Sequence, residues 1–187
     1  NLMFSINRLA NFNRDVQVEG QDLGMVQTIC NITNDQGGVA EKYLQGKPWD
    51  DVEIGWLSIL GYEANLITPI EDNQWQPAVN LVDGSLSVSE TGSAEQYTLS
   101  WAGNISNQWY VGVSLNMPTL SYTKRTTHSE TDRINSAELK SLYHLSGVGV
   151  SGSIGLIYRP IQALRIGASF QTPTVMGMTM QTEGDMY

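Results

Sequence analysis

The chain of 187 residues holds a single cysteine, Cys30, so no disulfide can close within it. With only His128 and His144 beside that thiol, it offers no Cys/His set for a metal. No run of about 18 apolar residues is present, which excludes a membrane-spanning helix. Cations are scarce: ten Lys and Arg stand against nineteen Asp and Glu, for a formal net charge of -9. There is no basic stripe, so no nucleic-acid partner is expected. The acidity sits in one half, with 14 acids against 4 bases in residues 1–95 and 5 against 6 in residues 96–187. Charge is missing where a water-facing sheet would carry it, since residues 97–123, 145–158 and 166–182 contain no Asp, Glu, Lys or Arg. The chain opens on Asn1 without a basic-then-apolar leader and is expected to be a processed form or an excised piece.

What is present is alternation. In residues 147–158 Val148, Val150, Ile154, Leu156 and Tyr158 share one parity, and Gly147, Gly149, Ser151, Ser153 and Gly155 share the other. After Arg159-Pro160-Ile161-Gln162, read as a turn, Leu164, Ile166, Ala168 and Phe170 are opposed by Arg165, Gly167, Ser169 and Gln171. A period of two over this length predicts a β-hairpin. A second hairpin is expected where Tyr97, Leu99, Trp101 and Ile105 are followed, beyond a turn at Ser106-Asn107, by Trp109, Val111, Val113, Leu115 and Met117. Residues 124–140, which hold most of this half's charge, read as a long polar loop. His128 and His144 read as exposed histidines in or beside it.

The first half is organised differently. Residues 1–13 predict an opening strand, and residues 14–84 a long loop carrying one helix over about 49–66. A shorter helix is possible over residues 39–44. Pro48 suits a first helical position, Asp50, Asp51 and Glu53 complement the positive end of the helix dipole, and Pro69 marks the stop. Trp49, Val52, Trp56, Ile59 and Leu60 recur at helical spacing.

A soluble sandwich would satisfy the alternation, but three features favour a membrane sheet. The arms are long, and eleven residues at ~3.3 Å, tilted by ~45°, rise roughly 25 Å. Aromatic residues cluster near strand ends, as in interfacial belts: Trp109, Tyr110 and Tyr158 by the short turns, and Tyr97, Tyr122 and Tyr143 toward the charged loop. The polar parity is built from Ser, Thr, Asn, Gln and Gly, while the apolar parity lacks the charges that keep water-facing strands apart.

No catalytic constellation assembles, and no enzyme is expected. Gly147, Gly149 and Gly152 spell G-x-G-x-x-G, but strand alternation runs through them where a helix should begin. The segment Gly149-Val150-Ser151-Gly152-Ser153 fails the nucleophile elbow at its last position. Met176, Met178 and Met180 form a stripe at strand spacing, read as packing or lipid contact before a soft ligand surface. Arg165 lies on the polar parity of a neutral strand, where it should need an acidic or polar partner and becomes a candidate ligand contact. Trp49, Trp56 and Leu60 are the candidate apolar contacts of a helix placed as a lid.

Two blocks carry a resemblance: GSLSVSETGSAEQYTLSWAGNISNQWYVGVSLNMPTLSY and GVGVSGSIGLIYRPIQALRIGASFQTPTV, about 80 of the 187 residues. With the cadence G-x-G-x-x-x-x-x-G-x-I-Y-R-P from Gly147 to Pro160 and L-R-I-G-A-x-x-x-T-P-T from Leu164 to Thr174, they resemble strands of the FadL/TodX-type outer-membrane transporters. The resemblance implies a monomeric barrel in the bacterial outer membrane that takes up hydrophobic compounds such as long-chain fatty acids, without a cofactor. The family's N-terminal plug is absent, and about six strands are too few to close its barrel, so the chain is expected to be an internal segment. The expected fold is therefore mainly β: an antiparallel up-and-down sheet forming part of an outer-membrane β-barrel, with four long strands in two hairpins over 85–187 and a helix-containing loop. Its partners would be a fatty-acid-like ligand and membrane lipid. The rival expectation is a soluble extracellular β-rich binding or adhesion module.

Overall fold

The computed structural model describes residues 1–21, 23–46 and 54–187. In chain order the elements are β1 (Leu2–Asn11), β2 (Arg14–Gln21), α1 (Met25–Asn34), α2 (Trp56–Glu63), β3 (Ile67–Pro69), β4 (Trp75–Pro77), β5 (Asp83–Ile105), β6 (Trp109–Thr131), β7 (Ser136–Ile161), β8 (Leu164–Gln171) and β9 (Val175–Met186). The chain is mainly β, with an antiparallel sheet and few helices. The main sheet runs β1-β5-β6-β7-β8; β2 also pairs with β5, and β9 with β7. Since β6 occupies one edge of β5 and one edge of β7, β1 and β2 share the other edge of β5, and β8 and β9 the other edge of β7. The sheet is not closed.

Each turn has a local cause. Ser106 and Asn107 both have positive φ, at 55° and 56°, which is the type I′ geometry that matches strand twist in a tight hairpin. Pro160 lies within β7 and not in a turn; a register shift between Tyr158 and Ile161 places it at a bulge, where its missing N–H breaks no ladder. The expected arm from Leu164 onward is interrupted at residues 172–174, around Pro173, which splits it into β8 and β9. Gly92 in β5 has φ +142°, and a Cβ there would stand 2.1 Å from the Ser121 carbonyl oxygen, so only glycine fits this close approach.

Several expectations are corrected. Residues 124–140 do not form a long loop: β6 continues to Thr131 and β7 starts at Ser136. His128 is therefore a strand residue whose side chain is 18% exposed, with its buried Nε2 3.4 Å from Glu130 Oε1. His144 is likewise in a strand, its Nδ1 2.9 Å from Thr123 Oγ1. Residues 14–21 form β2, and residues 25–34 form α1, where only loop was expected. The helix expected over 49–66 is observed as Trp56–Glu63; residues 47–53 lie outside the described residues. Asn65, with φ 55°, ends the helical path, so Leu66 falls outside it. The short helix expected over 39–44 is a single 3-10 turn at Glu41–Tyr43.

The chain divides into two compact units. The first comprises Asn1–Arg14, Glu90–Lys124 and Tyr143–Gln181; the second comprises Asp15–Ser89, Arg125–Leu142 and Thr182–Tyr187. The second has an ordinary apolar core. Helix α1 buries Met25, Val26, Ile29, Cys30 and Thr33, a helical stripe that meets Ile59 of α2 and Ile67 and Trp75 of the β3–β4 hairpin. Gly61 lets the helices approach closely, since a Cβ there would lie 2.6 Å from Ile29 Cγ2. Thr33 and Ser58 hydroxyls share a 2.8 Å hydrogen bond inside the core. The side chain of Asn34 donates from Nδ2 to the Trp75 carbonyl (2.8 Å) and accepts the Trp75 N–H at Oδ1 (2.7 Å), clamping the hairpin onto the helix. Helix α1 has no local side-chain cap; the buried Glu130 carboxylate of β6 accepts the Met25 N–H at 2.7 Å and supplies the favourable negative charge.

Two outcomes follow from this core. Asn34→Ala leaves both Trp75 backbone groups without their partner and should destabilise the second unit by about 2 kcal/mol, while Asn31→Ala, exposed on the same helix, should stay within about 0.5 kcal/mol in a denaturant titration. Burial pushes the Cys30 thiol up from 9.0 to about 11. Native protein should thus resist iodoacetamide at neutral pH and react once unfolded. Because the neutral thiol is the folded form, its contribution to stability is complete below pH 9 and is lost as pH rises toward 11. A chemical melt repeated at increasing pH, with Cys30→Ala as reference, measures this.

Candidate functional site

The first unit inverts the usual partition of side chains. Among the described residues, every buried apolar side chain belongs to the second unit, whereas the buried residues of the first are Asn116, Gly147, Gly149 and Ser151. Its apolar parity is exposed, with Phe4 at 59%, Leu115 at 43% and Val148 at 64%. The registers show this is one continuous face. Leu2, Phe4 and Ile6 of β1 stand opposite Trp101, Leu99 and Tyr97 of β5, and Ile154, Leu156 and Tyr158 of β7 stand opposite Phe170, Ala168 and Ile166 of β8. Partners in an antiparallel ladder share a face, so these rows build an apolar surface across the sheet.

That surface has defined margins. At the short-turn end Trp109 and Tyr158 stack, with ring centroids 4.2 Å apart, and the Trp101 ring folds over Gly103, where a Cβ would meet it at 2.9 Å. At the other margin Arg8 stands opposite Glu95 and pairs with it at 3.3 Å, and the Tyr97 hydroxyl donates to the same carboxylate at 3.1 Å. Between Trp109 and Met117 no charge interrupts β6.

The opposite face is small and polar. Ser100 and Ser114 hydroxyls are 3.2 Å apart, and Thr98 Oγ1 donates to Asn116 Oδ1 at 2.9 Å. Toward the short turns this face opens into a hollow of about 690 Å³, lined in part by Ala102, Tyr110, Gly112, Gly155, Ile157 and Gly167. The hollow exists because side chains are missing: a Cβ on Gly155 would meet nothing within 4 Å. Farther along β7 the glycines have a different task. A Cβ on Gly149 would press on Thr174 Cγ2 at 3.0 Å and Pro118 Cγ at 3.1 Å, and one on Gly147 would meet Met176 Cε and Met178 Cγ at 3.2 Å each. Met176 and Met178 thus pack against the glycine parity.

The residues singled out in the sequence fall in different places. Trp56 and Leu60, one turn apart on α2, come together over Gly184 of β9, where a Cβ would lie 3.1 Å from the Trp56 ring and 3.7 Å from Leu60 Cδ1. Both remain half-buried, so part of each stays accessible. Trp49 lies outside the described residues. Arg165 is on the parity of Gly167 and Ser169, but it is exposed on β8 and has no hydrogen-bond or ion-pair partner among the described residues. Exposure removes the need for the acidic partner that its parity suggested. The buried Asn116 and Ser151 were missed as individual residues; their one signal was membership of the polar parity. No three His, Cys, Asp or Glu side chains converge as a metal site among the described residues. Among the described residues no helix is long and apolar enough to cross a membrane.

No protein-family model matches the chain, and no characterised protein compared with it is significantly similar in sequence.

The two roles of glycine separate by substitution. Gly155→Leu enters open space and should leave the thermal unfolding midpoint within a few degrees, whereas Gly149→Leu meets packed atoms and should lower stability by roughly 1–3 kcal/mol or more. Equal tolerance at the two positions would contradict the packing described.

Proposed function

We propose that the chain is part of a bacterial outer-membrane β-barrel that passes hydrophobic small molecules, such as long-chain fatty acids, without chemical conversion. The observation that supports this reading is the inverted partition of the first unit. Rows of Val, Leu, Ile, Phe and Trp are exposed while Ser, Asn and Gly are buried. Exposed to water, such rows on adjacent strands would be an aggregation surface. Against acyl chains they meet a matching solvent, and the backbone polar groups between strands are satisfied by the ladder. The aromatic and charged margins fit an interfacial belt, and nine residues from Trp109 to Met117 match the 9–11 a tilted strand needs to cross hydrocarbon.

Within this reading, transport is passive. Apolar ligand first meets the accessible parts of Trp56 and Leu60 on α2, and the hollow of the small-side-chain face provides room along the wall of the barrel. Arg165, exposed and without a hydrogen-bond or ion-pair partner among the described residues, is available to an anionic end of a ligand.

The reading is tested by reconstitution into vesicles containing brominated lipid. Trp101 and Trp109 fluorescence should be quenched, and replacing each by Phe should remove the quenchable fraction. Leu115→Arg, on the exposed apolar face, should cost about 2–4 kcal/mol of folded stability in the bilayer, while Ser153→Arg, on the other face, should cost much less. Protein that stays monodisperse in water, with unquenched tryptophans, would instead support a soluble surface-binding module.

A further inference from the structure

Two cations of the first unit stand together at the short-turn end of the sheet. Along β7 and β8 the pairs Leu156–Ala168, Ile157–Gly167 and Tyr158–Ile166 are in register, and the next pair is Ile161–Leu164. Between them Arg159 and Pro160 oppose the single residue Arg165, the two-against-one count of a β-bulge. Arg159 is the next residue on the parity of Gly155 and Ile157, and Arg165 lies one step beyond Gly167 on its own. Those three residues line the hollow, so both arginine side chains start at its rim, on the face that bears it. The backbone N–H of Arg159 donates to the Gln108 carbonyl at 2.7 Å, which fixes this point of β7 beside the Ser106-Asn107 turn.

Nothing in the unit neutralises this pair. Its only acids are Glu90 and Glu95, both in β5 and both on the far side of Tyr97 from that turn. Glu95 is engaged by Arg8 and by the Tyr97 hydroxyl, and Glu90 accepts the Tyr122 hydroxyl at 2.9 Å. Neither Arg159, half-buried, nor Arg165, exposed, has a side-chain hydrogen-bond or ion-pair partner among the described residues. Open to solvent, the two need no acid in order to fold. Like charges set opposite on neighbouring strands nevertheless repel, and one anion between them removes that repulsion. A carboxylate suits the place, because its two oxygens take paired N–H bonds from planar guanidinium forks. What carries the carboxylate follows from the hollow: Gly112, Gly155, Ile157 and Gly167 leave about 690 Å³ beside the arginines, apolar room for an attached chain.

We infer that Arg159 and Arg165 form one anion site at the rim of the hollow, which holds the carboxylate of a fatty-acid-like ligand while its chain lies along Gly112, Gly155 and Gly167. The inference rests on the transport reading above and adds the place and orientation of the ligand. Its head group is held at the short-turn end, the periplasmic end of an outer-membrane barrel. The probes are sodium dodecanoate and dodecanol, each isotope-labelled at its head carbon and titrated at mildly alkaline pH. The full chain is held in nanodiscs of zwitterionic lipid, and empty nanodiscs give the non-saturable background.

Dodecanoate should bind saturably, and about tenfold or more tightly than dodecanol. Arg159→Gln and Arg165→Gln should each weaken dodecanoate about tenfold and leave dodecanol unchanged, a split that a general loss of structure would not produce. Arg165→Lys, which keeps the charge without the fork, should recover part of the loss. Gly155→Leu, which fills the hollow, should weaken both probes alike. The inference is overturned if both Gln variants bind dodecanoate as the parent chain does, or if they lose dodecanoate and dodecanol equally. It is also overturned if phosphatidylglycerol in the nanodisc abolishes the arginine-dependent binding, which would make the pair a contact for lipid head groups. Quenching of Trp101 and Trp109 by brominated lipid in the same samples separates the two failures: with quenching intact only the anion site falls, and without it the membrane reading falls as well.

Discussion

The partition of side chains between two environments is the constraint on which the rest depends. In the second unit, apolar side chains of α1, α2 and the β3–β4 hairpin face one another, and the buried Glu130 carboxylate is held on the Met25 N–H. In the first unit the apolar parity is the exposed one and the buried positions belong to Asn, Ser and Gly. One polypeptide thus follows two opposite rules. On the proposed membrane reading a change of solvent accounts for both, because exposed Val148 and Phe4 cost free energy in water and none in hydrocarbon.

Small side chains on the polar parity follow from the same inversion. With the apolar rows turned outward, the other face has little surface to fill and can be built from Gly147, Gly149 and Ser151, against which Pro118, Thr174 and Met176 pack within 3.0–3.2 Å of where a Cβ would stand at the glycines. Where opposing atoms are absent, as at Gly155, the same composition leaves the hollow. The hydroxyls and amides on this face pair with each other across strands, so the wall is polar without being charged.

The second unit is held by contacts between residues remote in sequence. Glu130, from β6, accepts the N–H of Met25, more than a hundred residues earlier, and stands in for the cap that Gly24 cannot provide. Asn34 completes the backbone of Trp75, whose indole N–H donates to the Val39 carbonyl at 2.7 Å and whose ring meets Tyr62 edge-on. These bonds place a short hairpin, too small to be stable alone, on a helix of ten residues.

Alternation, a local property with a period of two, was sufficient to read the strands around Trp101, Val113 and Val150, the tight turn at Ser106-Asn107 and the assignment of apolar and polar faces. Side chains on a strand must alternate whatever they pack against. It fails where charge hides it: in residues 124–140 the charges of Lys124, Arg125, Glu130 and Lys140 mask strands, β6 continuing to Thr131 and β7 starting at Ser136. Helix α1 leaves a weak local signal because Gln27, Thr28 and Asn31 dilute a stripe whose importance lies in what it meets. By itself the sequence determined the period, the charge-free stretches and hence the existence of a two-faced sheet. Only the tertiary structure decided that the apolar face is the exposed one, that Trp56 and Leu60 close over Gly184, and that Asn116 and Ser151 are buried together. Burial depends on which strands become neighbours and in what register, and those pairings join residues too far apart in the chain for any local pattern to record.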